Sequence, residues 1–251
     1  ILTAAQMSNE ASCAFNESIS IVLDGEIDSS GLVTALNAVI ARHQALRGHI
    51  GRNDERMYFA STLTLEVELQ DFSREHDPDA ALAALVAADA RMPFDLWAGP
   101  LVRATLVRLA ADRHVLVFTA HHIVCDGWSM NIILSDLATH YRMAHEGQPA
   151  AQPAAPRFSQ YAIAQAASKN SQAADLRYWT ALFAELPVLP ELPTDRVRPA
   201  LRSYAGATYS TRFNAELNTS LKKAGAAHSA TLFSVLFTAL QAVLGRLSGG
   251  A

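Results

Sequence analysis

The 251-residue chain has little of what would mark several large classes of protein. It holds only two cysteines, Cys13 and Cys125, far apart and at no metal-ligand spacing with the histidines. No metal site is expected, and a reducing cytosol is the compartment that fits. Lys and Arg are not in excess (20 against 24 Asp and Glu, formal net charge -4), so nothing points to nucleic acid. No apolar run approaches the length needed to span a bilayer, no basic helix suggests a membrane surface, and the N-terminal residues lack a signal pattern. Repeats and low-complexity tracts are missing, apart from the Pro- and Ala-rich stretch Gln148 to Pro156, which is expected to be a linker. What is present is core material: half of the residues are hydrophobic and 18% charged, values of a soluble globular protein.

The most informative stretch is His121-His122-Ile123-Val124-Cys125-Asp126-Gly127-Trp128-Ser129. The residues before it, His114 to Ala120, are apolar and β-branched enough for a buried strand. After it, Met130, Ile133, Leu134, Leu137 and Tyr141 recur at helical spacing. Two histidines therefore stand where a strand ends, followed by a turn with an acid and a glycine. Neighbouring strand residues point to opposite faces, so His121 and His122 cannot both face one cavity. One is free for chemistry, and a histidine takes a proton from an amine or hydroxyl near neutral pH. Asp126 either orients that imidazole or shapes the turn by pairing with an arginine. A nucleophilic Cys125–His pair is the third arrangement the spacing allows.

The nine residues resemble the HHxxxDG signature of the condensation domains of non-ribosomal peptide synthetases, shared with the chloramphenicol-acetyltransferase-like acyltransferases. Trp128-Ser129 matches the extension common in peptide-forming members. Other stretches carry the same resemblance. Leu2 to Gln6 is similar to the start of the first core motif, although the Arg and aromatic residues that usually follow are missing. Ala41 to Arg47 resembles the second, RHxxLR, and Pro93-Phe94-Asp95-Leu96 with Gly99-Pro100-Leu101-Val102-Arg103 resembles PFDL…GPLxR. Phe158 to Ile163 is similar to the fourth, with Gln160 in place of the usual acid, so Tyr161 reads as a packing residue. Ala14 to Ser18 looks like condensation domains of mixed polyketide–peptide assembly lines.

Taken in order, the pattern predicts a strand over Phe15 to Gly25 and a helix capped by Ser29 or Ser30 with Leu32, Leu36, Val39 and Ile40 on its apolar face. Strands are expected at Met57 to Ala60 and at Thr62 to Leu69, and a helix over Ala80 to Ala90. Leu101 to Leu109 and His114 to Ala120 should form a central hairpin turning at Ala111-Asp112. A helix over Leu176 to Glu185, a strand at Tyr209 to Phe213 and helices over Glu216 to Ala226 and Thr231 to Leu247 complete the reading. The last is apolar nearly all round and hence expected to be buried.

The resemblance implies an α+β fold, a chloramphenicol-acetyltransferase-like two-layer sandwich. It divides the chain into an N-terminal subdomain at 1–155, a crossover at 156–206 and the incomplete start of a C-terminal subdomain at 207–251, so that this stretch alone should be inactive. It further implies amide formation in a tunnel, between an acyl or peptidyl thioester on a donor carrier protein and an aminoacyl thioester on an acceptor carrier. No cofactor is bound directly; the partner carriers present 4'-phosphopantetheine, and adenylation or polyketide synthase modules are the neighbours. His122 would be the catalytic residue, with His121, Asp126, Gly127 and Arg47 as supports and Trp128 and Ser129 as tunnel candidates. An Arg47–Asp126 ion pair is expected, because a buried charge without a partner is costly. An acyl-CoA acyltransferase, an epimerase-like relative and a non-catalytic recruitment domain are the alternatives.

Overall fold

The computed structural model describes residues 1–147, 153–186, 191–200 and 203–249. The chain forms two compact units, Ile1–Lys169 and Asn170–Ala251. The division falls at Lys169 rather than in the Pro-rich stretch, of which 148–152 lie outside the described residues.

In the first unit the order is α1 (Leu2–Ala5), α2 (Asn9–Cys13), β1 (Asn16–Asp24), α3 (Ser29–Arg42), a 3-10 turn (Gln44–Arg47), β2 (Gly48–Ile50), β3 (Met57–Phe59), β4 (Val67–Asp71), α4 (Pro78–Ala90), β5 (Val102–Ala110), β6 (Arg113–His121), α5 (Gly127–His145) and α6 (Phe158–Ala167). Four strands form one sheet in the order β1-β6-β5-β4. The expected hairpin, β5 with β6, is antiparallel and central, β1 pairs antiparallel with the other edge of β6, and β4 joins β5 in parallel through α4. A crossover helix is what a parallel pair needs. β2 and β3 form a separate two-stranded ribbon.

The central strands are apolar on both sides because both faces of the sheet are covered. On one face Leu106, Leu116, Phe118 and Ala120 pack with Leu32, Ala35, Leu36, Val39 and Ile40 of α3 and with Met130, Ile133 and Leu137 of α5. The α3 set follows the spacing of an amphipathic helix. On the other face Val107, Leu109, Val115 and Val117 meet Leu82, Leu85 and Val86 of α4. Each fully buried large apolar side chain contributes about 1.5–3 kcal/mol. The result is the helix-and-sheet arrangement expected of an α+β chain.

The structure corrects several expectations. Asp28, not Ser29 or Ser30, caps α3, its carboxylate accepting from the Ser30 N–H and hydroxyl. The strand expected over Thr62 to Leu69 is confined to Val67–Asp71. Before it, the amide of Asn37 takes both the Leu65 N–H and the Leu65 carbonyl, so this stretch finds its hydrogen bonds on a helix rather than in the sheet.

The second unit holds α7 (Lys169–Leu182), which starts at the division, α8 (Ala215–Ala227) and α9 (Leu232–Leu247). Tyr209 to Phe213 is not a strand, and no strand occurs among the described residues of this unit. Asn214 caps α8 and Thr231 caps α9. The two helices approach closely at Gly225, where a Cβ would lie 3.1 Å from a methyl of Val235 on α9. α9, whose apolar sequence calls for burial, is exposed in this unit, as expected where the sheet it should pack against is not at hand. None of its residues is buried, and Phe233 is 74% exposed; among the described residues α8 is its main packing partner in this unit. Among the described residues no single helix is long and apolar enough to cross a membrane.

Candidate functional site

β6 runs to His121 and α5 begins at Gly127, so the histidine pair and Asp126 occupy one tight turn. Its backbone is anchored at three points: His121 N–H to the Leu101 carbonyl, His122 N–H to the Phe15 carbonyl, and Val124 N–H to the His121 carbonyl. The register sets Asn16 opposite His121 and Glu17 opposite Ala120.

The two histidines part company as strand alternation requires. His121 is wholly buried, with the edge of Phe94 at 6.3 Å and Phe15 at 6.1 Å between ring centroids. Its Nδ1 accepts from the Ile123 N–H, which leaves the proton of the neutral ring on Nε2. Among the described residues Nε2 has no partner at full hydrogen-bonding geometry, only the nearby Ser12 backbone. Burial pushes its pKa down to about 4, the neighbouring His122 adds to the fall, and the Ser12 backbone offsets it only in part. His121 is therefore neutral at physiological pH.

His122 is half-buried. Its Nδ1 lies 2.9 Å from the Cys125 carbonyl oxygen and 3.2 Å from Oε1 of Glu17. A nitrogen facing two acceptors carries the hydrogen, so in the neutral ring Nε2 keeps the lone pair. That is the arrangement of a general base whose far edge is tied down.

Asp126 and Arg47 do not pair. Asp126 is exposed and caps α5, one carboxylate oxygen accepting from the Ser129 N–H at 2.7 Å and the Ser129 hydroxyl at 2.6 Å. These bonds hold its carboxyl below the usual carboxylate range, the hydroxyl contributing most, with a smaller pull from His122. Arg47 instead donates to the carbonyls of Ile40, Ala41 and Ala60. Two of these are at the end of α3, where a helix leaves its last carbonyls without partners. The resemblance singled out both residues, but the ion pair expected between them does not form. Asp126→Ala is expected to cost about 1 kcal/mol through loss of the cap, and Asp126→Asn almost nothing, since asparagine caps equally well. Urea denaturation of the two variants distinguishes this from a buried ion pair, which would cost roughly 3–5 kcal/mol.

Cys125 is not a nucleophile. It is buried, and burial, with the charges of Asp126 and Glu17, pushes its thiol up to about 12. The Ser129 hydroxyl is engaged by Asp126, and the residue lines a cavity of about 290 Å³ with Val124, Ile132 and Asp136. Trp128 is 79% exposed beside Asn131, Ile132 and Ser135. Neither lining includes His122. A larger open cavity of about 670 Å³, lined by Arg42, Arg47 and His140, also lies apart from it. At Gly127 a Cβ would meet nothing within 4 Å, so this position opens on free space.

Three supports were not foreseen. Arg103, from the PFDL…GPLxR stretch, pairs with Asp89 at 2.6 Å, and Asp89 also accepts from the Thr119 hydroxyl. The same guanidinium lies 4.1 Å over the Phe94 ring that packs on His121, so this network backs the histidine turn. Asp136 of α5 takes Arg42 at 2.9 Å and His43 at 2.7 Å, joining two helices beneath the motif. Glu17 is the third. A charge in strand phase with Ile19, Ile21 and Leu23 was the signal that could have found it.

The condensation-domain family model matches residues 1–251. Malpibaldin synthetase of Mortierella alpina is 37% identical over 233 residues, 90% of this chain and 4% of the synthetase. A component of the linear gramicidin synthase of Brevibacillus parabrevis is 37% identical over 217 residues, 83% of this chain and 3% of that component. Among solved structures, the X-domain in complex with OxyB from teicoplanin biosynthesis superposes with a TM-score of 0.79 at 27% identity, over 99% of this chain and 55% of that one. A variant of the starter condensation domain of rhizomide synthetase, in complex with C8-CoA, gives 0.72 at 26% identity over 79% and 46%. The chain thus spans a few per cent of the curated relatives and about half of these solved chains.

Proposed function

Because the chain belongs to the condensation-domain family, we propose that it joins a carrier-bound acyl or peptidyl thioester to the amine of a carrier-bound aminoacyl thioester, as a step of non-ribosomal peptide synthesis. The observation that carries this reading is the lone pair on Nε2 of a half-exposed His122 whose other nitrogen is held by two acceptors. Nε2 takes a proton from the attacking α-amine as its nitrogen bonds to the thioester carbonyl carbon. The carbon–sulfur bond breaks, the electron pair leaves with sulfur, and the departing thiol of the phosphopantetheine arm ends with the proton. His121, neutral and wedged between two phenylalanines, fixes the turn. Asp126 starts the helix that follows. Two free cysteines, neither in a disulfide, accord with a cytosolic setting.

Gly127 separates this reading from a purely structural motif. Its Cβ position is empty and its backbone is not left-handed, so Gly127→Ala is expected to unfold within about 0.5 kcal/mol of wild type. If the open space admits the acceptor arm, Gly127→Leu folds equally well and loses at least roughly tenfold in amide formation, about 1.4 kcal/mol of barrier. Mass spectrometry of loaded carriers reads the rate, and full activity of Gly127→Leu would remove the glycine from the substrate path.

The likeness to an X-domain solved with a partner protein supports a second reading, a recruitment platform. That role requires no base, so it predicts that His122→Ala retains partner binding and that no amide forms with the wild-type chain.

A further inference from the structure

Glu17 lies outside the HHxxxDG stretch, yet it touches the ring assigned as the base. β1 sends Ile19, Ile21 and Leu23 towards the face that carries α3 and α5, and these three, with Phe15 just before the strand, pack against the core there. Glu17 stands in the same row, 39% exposed, with Oε1 3.2 Å from Nδ1 of His122. As an ordinary exposed ion pair it would matter little. Its position argues otherwise, because it meets the ring on the nitrogen opposite the one that takes the proton. A base oriented on its far edge by a third group is a recurring catalytic arrangement.

We infer that Glu17 is a positioning residue for amide formation: its carboxylate, with the Cys125 carbonyl, shares the Nδ1 hydrogen of His122, aims Nε2 at the amine and balances the imidazolium formed on proton transfer. The inference rests on the proposed role of His122. The only proton that moves goes from the amine nitrogen to Nε2 and on to the departing sulfur.

The test uses the full-length protein with its donor carrier loaded and an aminoacyl N-acetylcysteamine thioester as a diffusible acceptor. Glu17→Gln keeps the shape and a hydrogen-bond acceptor but removes the charge. It is expected to lower kcat on the order of tenfold with the acceptor KM unchanged. Glu17→Asp, shorter but charged, should fall between the two. In a His122→Ala background Glu17→Gln should add nothing, since residues acting as a unit are not additive. Wild-type kcat in Glu17→Gln, a loss confined to KM, or an equal loss without His122 would each overturn the inference. If the His122→Ala rate is below detection, the kcat–KM split decides alone. A wild-type protein that forms no amide would instead sink the condensation reading itself.

Discussion

Replacing His122 by alanine is expected to slow amide formation by roughly 10²–10⁴-fold, the usual contribution of a positioned general base. The folded chain should barely notice. The ring is half-exposed, and its two hydrogen-bonding contacts are to the Cys125 carbonyl and the Glu17 carboxylate, so truncation leaves no sealed cavity. A melting temperature within about 2 °C of wild type follows. The residual rate reports what holding two thioesters together supplies without a base. Single-turnover mass spectrometry of the loaded carriers gives both rates, and undiminished product from the variant would refute the base.

Acid should destabilise the first unit through His121 well before the carboxylates protonate. The ring ordinarily titrates near 6.5 and is held down to about 4 by burial in the fold. Between those values the unfolded chain binds a proton that the folded chain does not. Stability therefore rises with pH across this window and is lost as pH falls from 6.5 to 4. At 1.36 kcal/mol per unit, about 2.5 units amounts to roughly 3 kcal/mol. Other groups titrate nearby, so the measurement is a difference. His121→Leu, apolar and of similar bulk, should show a smaller drop in urea midpoint between pH 7 and pH 4.5. Parallel curves for the two proteins would show that His121 is not the acid-sensitive group. Asp136 acts in a separate window: although burial opposes it, the bonds from His43 and Arg42 hold its carboxyl low, so its contribution disappears only as pH falls below its unfolded value of 3.8.

Much of the site was readable because it depends on short-range rules. A buried strand, two residues that must face apart, and a helix of regular spacing follow from periodicity, and the structure assigns His121 and His122 to opposite environments accordingly. Partnerships did not follow. Asp126 serves the nearest orphan amide, that of Ser129, and Arg47 serves the orphan carbonyls of α3; both needs are local, and a long-range ion pair competes poorly with them. The alternation at Thr62 to Leu69 could not reveal that Asn37 would take the backbone bonds of Leu65. The apolar sequence of α9 speaks of a surface that can be buried, and not of whether a neighbour is there to bury it. For Glu17, strand phase marks the face it stands on but not which residue of a later strand will arrive opposite.

That last point has a cost in time. β1 is made before its partner β6, with Asn16 opposite His121, 105 positions further along the chain. At about 5–20 residues per second, a ribosome needs roughly 5–20 s to deliver the second strand after the first. Throughout that interval β1 presents Ile19, Ile21 and Leu23 and an unpaired backbone edge, the features by which strands find the wrong company. The two charges nearest its ends, Glu17 and Asp24, then act as guards against such pairing. One of them is the same carboxylate that later meets the imidazole.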